Sequence, residues 1–253
     1  MTNTLDFSLR TDGIAVVTLT RPPMNAMDAG MLEELAALFE GLAADRSVRA
    51  AVITGGGRAF SAGLDLKTVP DLGRGGRRRL VDALNASFGT LYAWPKPLVA
   101  AVNGHAIAGG LVLALCADWR IVADAPLQVA LAEVRVGVTY PVAALDVARS
   151  ELSPAAARRL ILLGEPLDAA GAEALAVFDQ RVPAAALLEH AVARAQRDAM
   201  LPPQAFATIK RELRAPQLAR IDAARAGHAE PRLSAWLGDE MRLASAMVMR
   251  GRA

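Results

Sequence analysis

Apolar and polar positions alternate in a way that predicts secondary structure along the whole chain. Residues 5–10 and 14–20 alternate or run apolar around the turn Thr11-Asp12-Gly13, which predicts a β-hairpin. Asp28 precedes residues 31–44, where apolar side chains recur at helical spacing. An aspartate before such a segment is typical of an N-cap, so a helix is predicted there.

The middle of the chain repeats the order strand, turn, helix. The predicted elements are strands at 48–54, 98–102 and 119–123 and helices at 80–94 and 110–117. The strands are continuously apolar, which is typical of a parallel sheet covered by helices. Residues 70–79 are rich in Gly and Arg and predict a mobile loop.

The last third of the chain is predicted to be mainly helical. The predicted elements are helices at 154–163 and 168–176, a strand at 178–182, and helices from Pro183 onward, with breaks at Pro202-Pro203, Pro216 and Pro231. A soft boundary near Met200 divides the chain into a core domain, 1–200, and a helical C-terminal region, 201–253. The apolar faces of that region predict packing on the main body or on another subunit.

Composition narrows the class of protein. The chain has 253 residues, 53% hydrophobic residues and a net charge of +2. The weak charge and the aromatic content of only 4% argue against a nucleic-acid partner. No segment reaches the roughly 18 apolar residues that a membrane span needs. The single Cys116 excludes an intramolecular disulfide and most cysteine metal sites, so no metal is expected. With no signal-like start, a cytoplasmic protein is the expectation.

Two glycine-bearing turns, each following a buried strand, suggest chemistry on a carbonyl group. The first is residues 59–66 (AFSAGLDL) and the second is residues 103–110 (NGHAIAGG). Glycine permits backbone angles that other residues avoid, and a helix start presents unpaired N–H groups. Two such turns can direct two N–H donors at one oxygen, which is the construction of an oxyanion hole.

Four motifs in this order resemble the crotonase superfamily, the enoyl-CoA hydratase/isomerase group. They are residues 21–27 (RPPMNAM), 60–66 (FSAGLDL), 103–118 (NGHAIAGGLVLALCAD) and 133–137 (EVRVG). The residues of these motifs most resemble those of the 3,2-enoyl-CoA isomerases. The resemblance implies an α/β fold, a crotonase-type spiral of strand-strand-helix units with a helical C-terminal region. It also implies acyl-CoA as the substrate with no separate cofactor, a place in fatty-acid metabolism, and a homotrimer or hexamer.

The resemblance also implies a set of site residues. Backbone N–H groups of Leu64 and Gly109 would stabilise a thioester enolate, and Glu133 would be the base. The substrate-binding positions would be Ala26, Ala62, Gly63, Leu64, Asp65, Leu66, Lys67, Gly109, Val112 and Ala132. Among these, Ala26 and Lys67 fall near the adenosine and phosphates of CoA.

One departure from the family pattern favours a particular reaction. The hydratases carry a second glutamate three residues after the oxyanion glycine, and this chain has Val112 there. Adding water uses two carboxylates, whereas moving a double bond needs one base that takes a proton and returns it. Glu133 alone therefore favours a 3-enoyl-CoA isomerase. The aspartate of dienoyl-CoA isomerases is replaced by Pro141. An enoyl-CoA hydratase and a non-catalytic acyl-CoA-binding subunit remain the alternatives.

Several other residues have simpler interpretations. We expect Cys116 to pack in the core, His105 to be a bystander, and Asp118 to cap or pair at the end of its helix. Asp65 would fix the first turn through backbone hydrogen bonds. The arginines at 74 and 77–79 form either a solvated face or a contact with CoA phosphates.

Overall fold

Two layers of β-sheet and the helices that cover them organise the chain in the computed structural model, which describes residues 4–65, 67–226, 230–231 and 233–237. The strands are β1 (Leu5–Leu9), β2 (Ile14–Leu19), β3 (Ala50–Gly55), β4 (Ala59–Ser61), β5 (Leu98–Val102), β6 (His105–Ile107), β7 (Trp119–Asp124), β8 (Val129–Ala130) and β9 (Gln180–Pro183).

The helices follow the strands in a regular order. They are α1 (Ala29–Ala44), α2 (Arg74–Tyr92), α3 (Gly109–Leu115), α4 (Val142–Glu151), α5 (Pro154–Ala157), α6 (Ala169–Ala174), α7 (Leu187–Asp198), α8 (Pro203–Leu213), α9 (Ala215–Ala226) and α10 (Leu233–Leu237). Short 3₁₀ helices span Val69–Asp71, Glu133–Val136 and Ala184–Ala186, and a π-helical turn at Arg158–Leu162 continues α5.

The strands form a spiral of repeated units. Within the described residues, the larger sheet has the order β1-β2-β3-β5-β7-β9, in which only the β1–β2 pair is antiparallel. A second, parallel sheet has the order β4-β6-β8. The units β3-β4-α2, β5-β6-α3 and β7-β8-α4 each send one strand to each sheet before their helix. This spiral confirms the expected fold class.

The core explains why the central strands are apolar on both faces. In β3, Ala51 and Ile53 belong to the main core with α1 to α4, while Ala50 and Val52 face a second cluster covered by α7. Strand residues alternate between faces, so a strand covered on both sides needs apolar residues at every position. All five residues of β5 are buried for the same reason.

Most predicted elements are confirmed, but the mobile loop at 70–79 is wrong. Helix α2 begins at Arg74, six residues before the predicted start. The N-cap Gly73 supplies no side-chain hydrogen bond, and other contacts fix this end instead. Arg79 forms an ion pair of 2.6 Å with Glu33 on α1, and Arg77 Nε donates to Leu72 O at 2.9 Å. Neither contact can be recognised from a local sequence pattern, so the early start of α2 was not predicted.

The described C-terminal helices pack on the main body, one of the two expected arrangements. Trp236 is buried, and its Nε1 donates to Thr139 O at 3.1 Å. The carboxylate of Glu230 accepts hydrogen bonds from Asn85 Nδ2 at 3.0 Å and from the backbone N–H of Val142 at 2.8 Å. The segment around α10 is thereby attached to α2 and to the start of α4.

A buried ion cluster joins α8 to the core. Lys210 Nζ lies 2.7 Å from Asp118 Oδ2, and Arg214 Nη2 lies 3.1 Å from Asp118 Oδ1 and 3.5 Å from Glu151 Oε1. The Arg214 guanidinium also stacks 4.0 Å from the centre of the Tyr92 ring. Burial lowers the pKa of Lys210 to about 8. Asp118 thus pairs at the end of α3, as expected.

We predict that two neighbouring glycines at the start of α3 differ sharply in their tolerance of a side chain. A Cβ on Gly110 would lie 2.3 Å from Ser61 O, whereas a Cβ on Gly109 would meet nothing nearer than 3.6 Å. Gly110→Ala should lower the free energy of unfolding by about 3 kcal/mol or prevent folding. Gly109→Ala should change it by less than about 1 kcal/mol. Urea unfolding checks this, and equal losses in the two variants would contradict it.

Candidate active site

The two glycine turns are in direct backbone contact. Gly63 has a φ of 78°, and a Cβ added to it would lie 2.6 Å from Ile107 O and 3.3 Å from Gly109 N. On the other side of the contact, Gly110 lies against the backbone of Ser61. Only glycine fits at these two positions, because any side chain would separate the turns. The glycines therefore bring the backbone of Leu64 close to that of Gly109.

The first turn is fixed by a short parallel pairing with Met27. The Met27 N–H donates to Gly63 O at 2.7 Å, and the Asp65 N–H donates to Met27 O at 2.9 Å. In such a bridge the central residue, here Leu64, directs its own N–H away from its partner. The Leu64 amide thus points away from the residues that hold it.

Arg21 holds the same turn from the side. Its Nη2 lies 2.9 Å from Asp65 Oδ2, and its Nη1 donates to Ala26 O at 2.7 Å. The other carboxylate oxygen of Asp65 accepts a hydrogen bond from the Lys67 N–H at 3.2 Å. Asp65 therefore fixes the turn through a backbone hydrogen bond, as expected, and through an ion pair that the sequence analysis did not identify.

The second turn places Gly109 at the start of α3. Ala108 adopts a φ of 51° and a ψ of −122°, a conformation that is unusual for a residue with a side chain. Its N–H donates to Ala130 O at 2.7 Å, which ties the turn to the end of β8. Within the described ranges, neither the Gly109 N–H nor the Leu64 N–H donates to a protein acceptor. Both amides are available to a ligand.

The surroundings of Gly109 are apolar. The position of a Cβ on Gly109 would lie 3.6 Å from Phe88 Cζ and 3.7 Å from Met27 Sδ. Val112, one helical turn further along α3, is fully buried. Hydrogen bonds are stronger in such a low-dielectric setting than in water, so two free amides here can stabilise negative charge on an oxygen.

Glu133 follows shortly after the residue that is hydrogen-bonded to the second turn. It begins a 3₁₀ helix three residues after Ala130, whose carbonyl is bonded to Ala108. The residue is half-buried, yet its Oε2 is shielded from solvent and has no hydrogen-bond partner among the described residues. Burial raises the pKa of Glu133 to about 7, although its own backbone N–H and the Tyr140 hydroxyl lower the pKa in part. Such a carboxyl can exchange a proton near neutral pH.

Comparison with known proteins agrees with this geometry. A family model described as enoyl-CoA hydratase/isomerase matches residues 10–236. The chain belongs to this family. It is 34% identical over 223 residues to a carnitinyl-CoA dehydratase of Citrobacter koseri, covering 85% of this chain and 82% of that protein.

Two solved structures show how closely the fold is shared. One is the human mitochondrial delta3-delta2-enoyl-CoA isomerase, with a TM-score of 0.90, 27% identity, and coverage of 99% of this chain and 98% of that one. The other is an enoyl-CoA hydratase from Mycobacterium ulcerans, with a TM-score of 0.83, 29% identity, and coverage of 93% and 100%. The neighbours of this enoyl-CoA hydratase/isomerase family member thus include both reaction types.

The remaining predicted binding positions of this family member lie around the two turns. Ala62 donates its N–H to Met24 O at 2.9 Å, Lys67 is exposed, and Ala132 is half-buried directly before Glu133. Leu66 lies outside the described residues. The binding roles of these residues stay predictions.

Three of the other residues that were discussed above have structural roles or partners. Cys116 is buried in the core, as expected. His105 Nδ1 accepts a hydrogen bond from the Gln128 N–H at 3.1 Å. Arg79 is paired with Glu33. Contact between the arginines and CoA phosphates stays a prediction.

Among the residues that the structure describes, no cluster of metal-ligating side chains is present. None of the described helices is long and apolar enough to cross a membrane.

Sequence reasoning missed two contributors to this site. Arg21 was seen only as part of a motif, and its contact with Asp65 spans 44 positions in sequence. Tyr140 was not considered, although its hydroxyl affects the pKa of Glu133. A tyrosine seven residues after a candidate base, in a chain with only two tyrosines, was the available signal.

We predict that Glu133 lowers the stability of the folded protein at neutral pH. Its pKa rises from 4.5 to about 7 on folding, so the folded state binds its proton more tightly than the unfolded state does. Stability is therefore lost as the pH rises through this window. After a discount for partial exposure, Glu133→Gln should raise the free energy of unfolding by about 2–3 kcal/mol at pH 8 and by less than about 1 kcal/mol at pH 5.

The control for this prediction is Glu212→Gln, which neutralises an exposed carboxylate on α8. Chemical denaturation of both variants and the wild type at the two pH values gives the comparison. The same gain from Glu133→Gln at both pH values would contradict a buried, proton-binding carboxyl.

Proposed function

We propose that this protein shifts the double bond of a 3-enoyl-CoA to give trans-2-enoyl-CoA, with Glu133 as its proton-transfer group. The observation that carries the proposal is a single carboxyl whose pKa burial raises to about 7, three residues after Ala130, the residue hydrogen-bonded to the turn that carries the free Gly109 amide. In the described residues, the charged or polar groups that act on Glu133 include no second carboxylate. The position where the hydratases of the family carry one is occupied by the buried Val112.

The geometry supports a two-step proton transfer. Glu133 removes a proton from C2 of the substrate, and the electrons of that C–H bond form the enolate of the thioester. The N–H groups of Leu64 and Gly109 stabilise the negative charge on the thioester oxygen. The thioester C=O bond then re-forms, the enolate electrons form the double bond between C2 and C3, and the C3=C4 π bond breaks as its electrons take the proton from Glu133 at C4. No water enters and no atom is lost.

The pKa of Glu133 suits both steps. A carboxyl with a pKa far below the working pH would be a weak base, and would accept a proton from C2 poorly. Burial raises the pKa of Glu133 to about 7, so both protonation states are populated near neutral pH. The same carboxyl can therefore act first as base and then as acid.

An enoyl-CoA hydratase is the second candidate function. It is favoured by the names of relatives, since an enoyl-CoA hydratase of Mycobacterium ulcerans shares the fold and a carnitinyl-CoA dehydratase is 34% identical. Hydration of crotonyl-CoA, whose double bond already lies at C2, is compared with isomerisation of 3-hexenoyl-CoA to separate the two functions. The proposal has three further parts. Acyl-CoA is the only small molecule required, the protein forms a trimer or hexamer, and it acts in fatty-acid oxidation in the cytoplasm.

The first activity prediction concerns the proposed base. Glu133→Gln keeps the shape of the side chain but cannot accept a proton, so kcat for 3-hexenoyl-CoA should fall by about 10²–10⁴-fold. KM should change by less than about threefold, because substrate contacts are kept. Steady-state assays with Glu212→Gln as the control give the measurement. Full activity of Glu133→Gln would remove the proposed role of this residue.

The second activity prediction concerns the residue that separates the two reactions. Val112→Glu adds the carboxylate that this chain lacks, so the rate of crotonyl-CoA hydration should rise by at least about tenfold. Val112→Gln is the matched control, because it has nearly the same size and polarity without an ionisable proton. If both variants hydrate crotonyl-CoA equally, or the wild type hydrates it faster than it isomerises 3-hexenoyl-CoA, then Val112 does not determine the reaction.

A further inference from the structure

The start of α4 has no cap from its own N-cap residue. That residue is Pro141, which forms no side-chain capping hydrogen bond. The first N–H groups of a helix have no partner inside the helix, so they need an acceptor from elsewhere. Val142 and Ala143, the first two residues of α4, are buried. Their amides therefore depend on acceptors that the surrounding protein supplies.

Two side chains from distant parts of the chain supply the cap. The N–H of Val142 donates to Glu230 Oε2 at 2.8 Å, and the N–H of Ala143 donates to Asn85 Oδ1 at 2.9 Å. Asn85 Nδ2 donates to the same Oε2 of Glu230 at 3.0 Å, which joins the two capping groups. Asn85 and Glu230 are both buried. A carboxylate is also the charge that the positive end of a helix dipole favours.

A short connecting segment, residues 137–141, joins this cap to the 3₁₀ helix that carries Glu133. It begins at Gly137, whose φ of 72° ends the 3₁₀ helix, and it runs to the N-cap of α4. The N–H of Val138 donates to the carbonyl of Glu133 itself at 3.0 Å. One end of the connecting segment is thus bonded to Glu133, and the other leads directly into the amides that Glu230 and its partner hold.

Two further contacts hold the middle of the connecting segment. Trp236 Nε1 donates to the carbonyl of Thr139 at 3.1 Å. The Tyr140 hydroxyl donates to the carbonyl of Leu131, two residues before Glu133, at 3.4 Å. Only five residues separate the 3₁₀ helix from α4, and a chain of that length has little slack. A displacement of the start of α4 therefore displaces Glu133 as well.

We propose that Glu230 is a positioning residue for Glu133: its carboxylate caps α4 and thereby holds the connecting segment in the arrangement that directs Glu133 at the substrate. The effect passes through the backbone of residues 137–142, so Glu230 contributes geometry and takes no part in proton transfer. This role rests on the proposed function only where turnover is concerned, because the cap itself is a property of the free protein.

Hydrogen exchange of the wild type tests the cap without any substitution or substrate. At the start of α2, the N-cap Gly73 supplies no side-chain bond, so α2 is the internal reference. The amides of Val142 and Ala143 should exchange at least about tenfold more slowly, relative to their intrinsic rates, than the first two amides of α2. Equal protection at the two helix starts overturns the proposal, even if variants at Glu230 fail to fold.

Two variants at Glu230 separate the capping oxygen from the charge. Glu230→Ala removes the acceptor, so exchange of the Val142 amide should rise by about fivefold or more. Glu230→Gln keeps an oxygen that both donors can share, and should keep exchange within about twofold of the wild type. Glu212→Ala, on the exposed side of α8, is the matched control and should leave the rate unchanged. An unchanged Val142 rate in Glu230→Ala overturns the proposal.

The kinetic readout separates a positioning role from a structural one. With 3-hexenoyl-CoA, Glu230→Ala should lower kcat per folded molecule by about tenfold and change KM by less than about threefold, because the base is displaced while substrate contacts are kept. Circular dichroism gives the folded fraction. Glu230→Gln should stay within about twofold of the wild type. A smaller folded fraction with the wild-type kcat per folded molecule would mark a structural role and contradict positioning.

The failure of this proposal and the failure of the proposed function give different results. If Glu133→Gln is inactive but Glu230→Ala keeps the wild-type kcat per folded molecule, the proposed function stands and the positioning role is overturned. If hydrogen exchange confirms the cap but no variant of Glu133 affects isomerisation, the proposed function fails while the hold of Glu230 on the connecting segment stands.

Discussion

The close approach of two stretches of backbone is the constraint on which the site depends. Gly63 and Gly110 allow the first turn to lie against the second with no side chain between them. Bonds from Met27 and Ala130 then hold each turn from its outer side. The result is a pair of amides with no acceptor in the described protein, in surroundings that contain few polar atoms. The rest of the spiral supports this contact, because each repeat delivers one strand to the small sheet in which the turns begin.

Glu133 and Asp65 differ in how many partners surround their carboxylates. Asp65 is surrounded by partners, with Arg21 on one oxygen and the Lys67 N–H on the other, and its task is to hold the backbone still. Glu133 is left with one free oxygen and a pKa near 7, and its environment is unfavourable for charge. The raised pKa of Glu133 lowers stability at neutral pH and lets the carboxyl gain and lose a proton there.

Sequence alone identified what depends on neighbours in the chain. The hairpin, the Asp28 cap of α1 and the limits of β5 follow from local patterns, and the structure agrees with them. The resemblance implied a second strand in each unit, but β4, β6 and β8 could not be located from the sequence, because two or three residues are too few for a periodicity to be recognised. The start of α2 and the effect of Tyr140 on the pKa of Glu133 were missed because both depend on contacts that only the fold creates. For the site, the turns and Glu133 could be named from their motifs, whereas the clamp by Arg21 could not.

The ion cluster beneath α8 has a consequence for how the protein is made. Asp118 and Glu151 belong to the part of the chain that leaves the ribosome first, and two of their cations, Lys210 and Arg214, are synthesised much later. Until α8 emerges, Asp118 is short of the positive charges that offset its burial. The ion pairs of Asp118 can therefore form only after α8 has been synthesised.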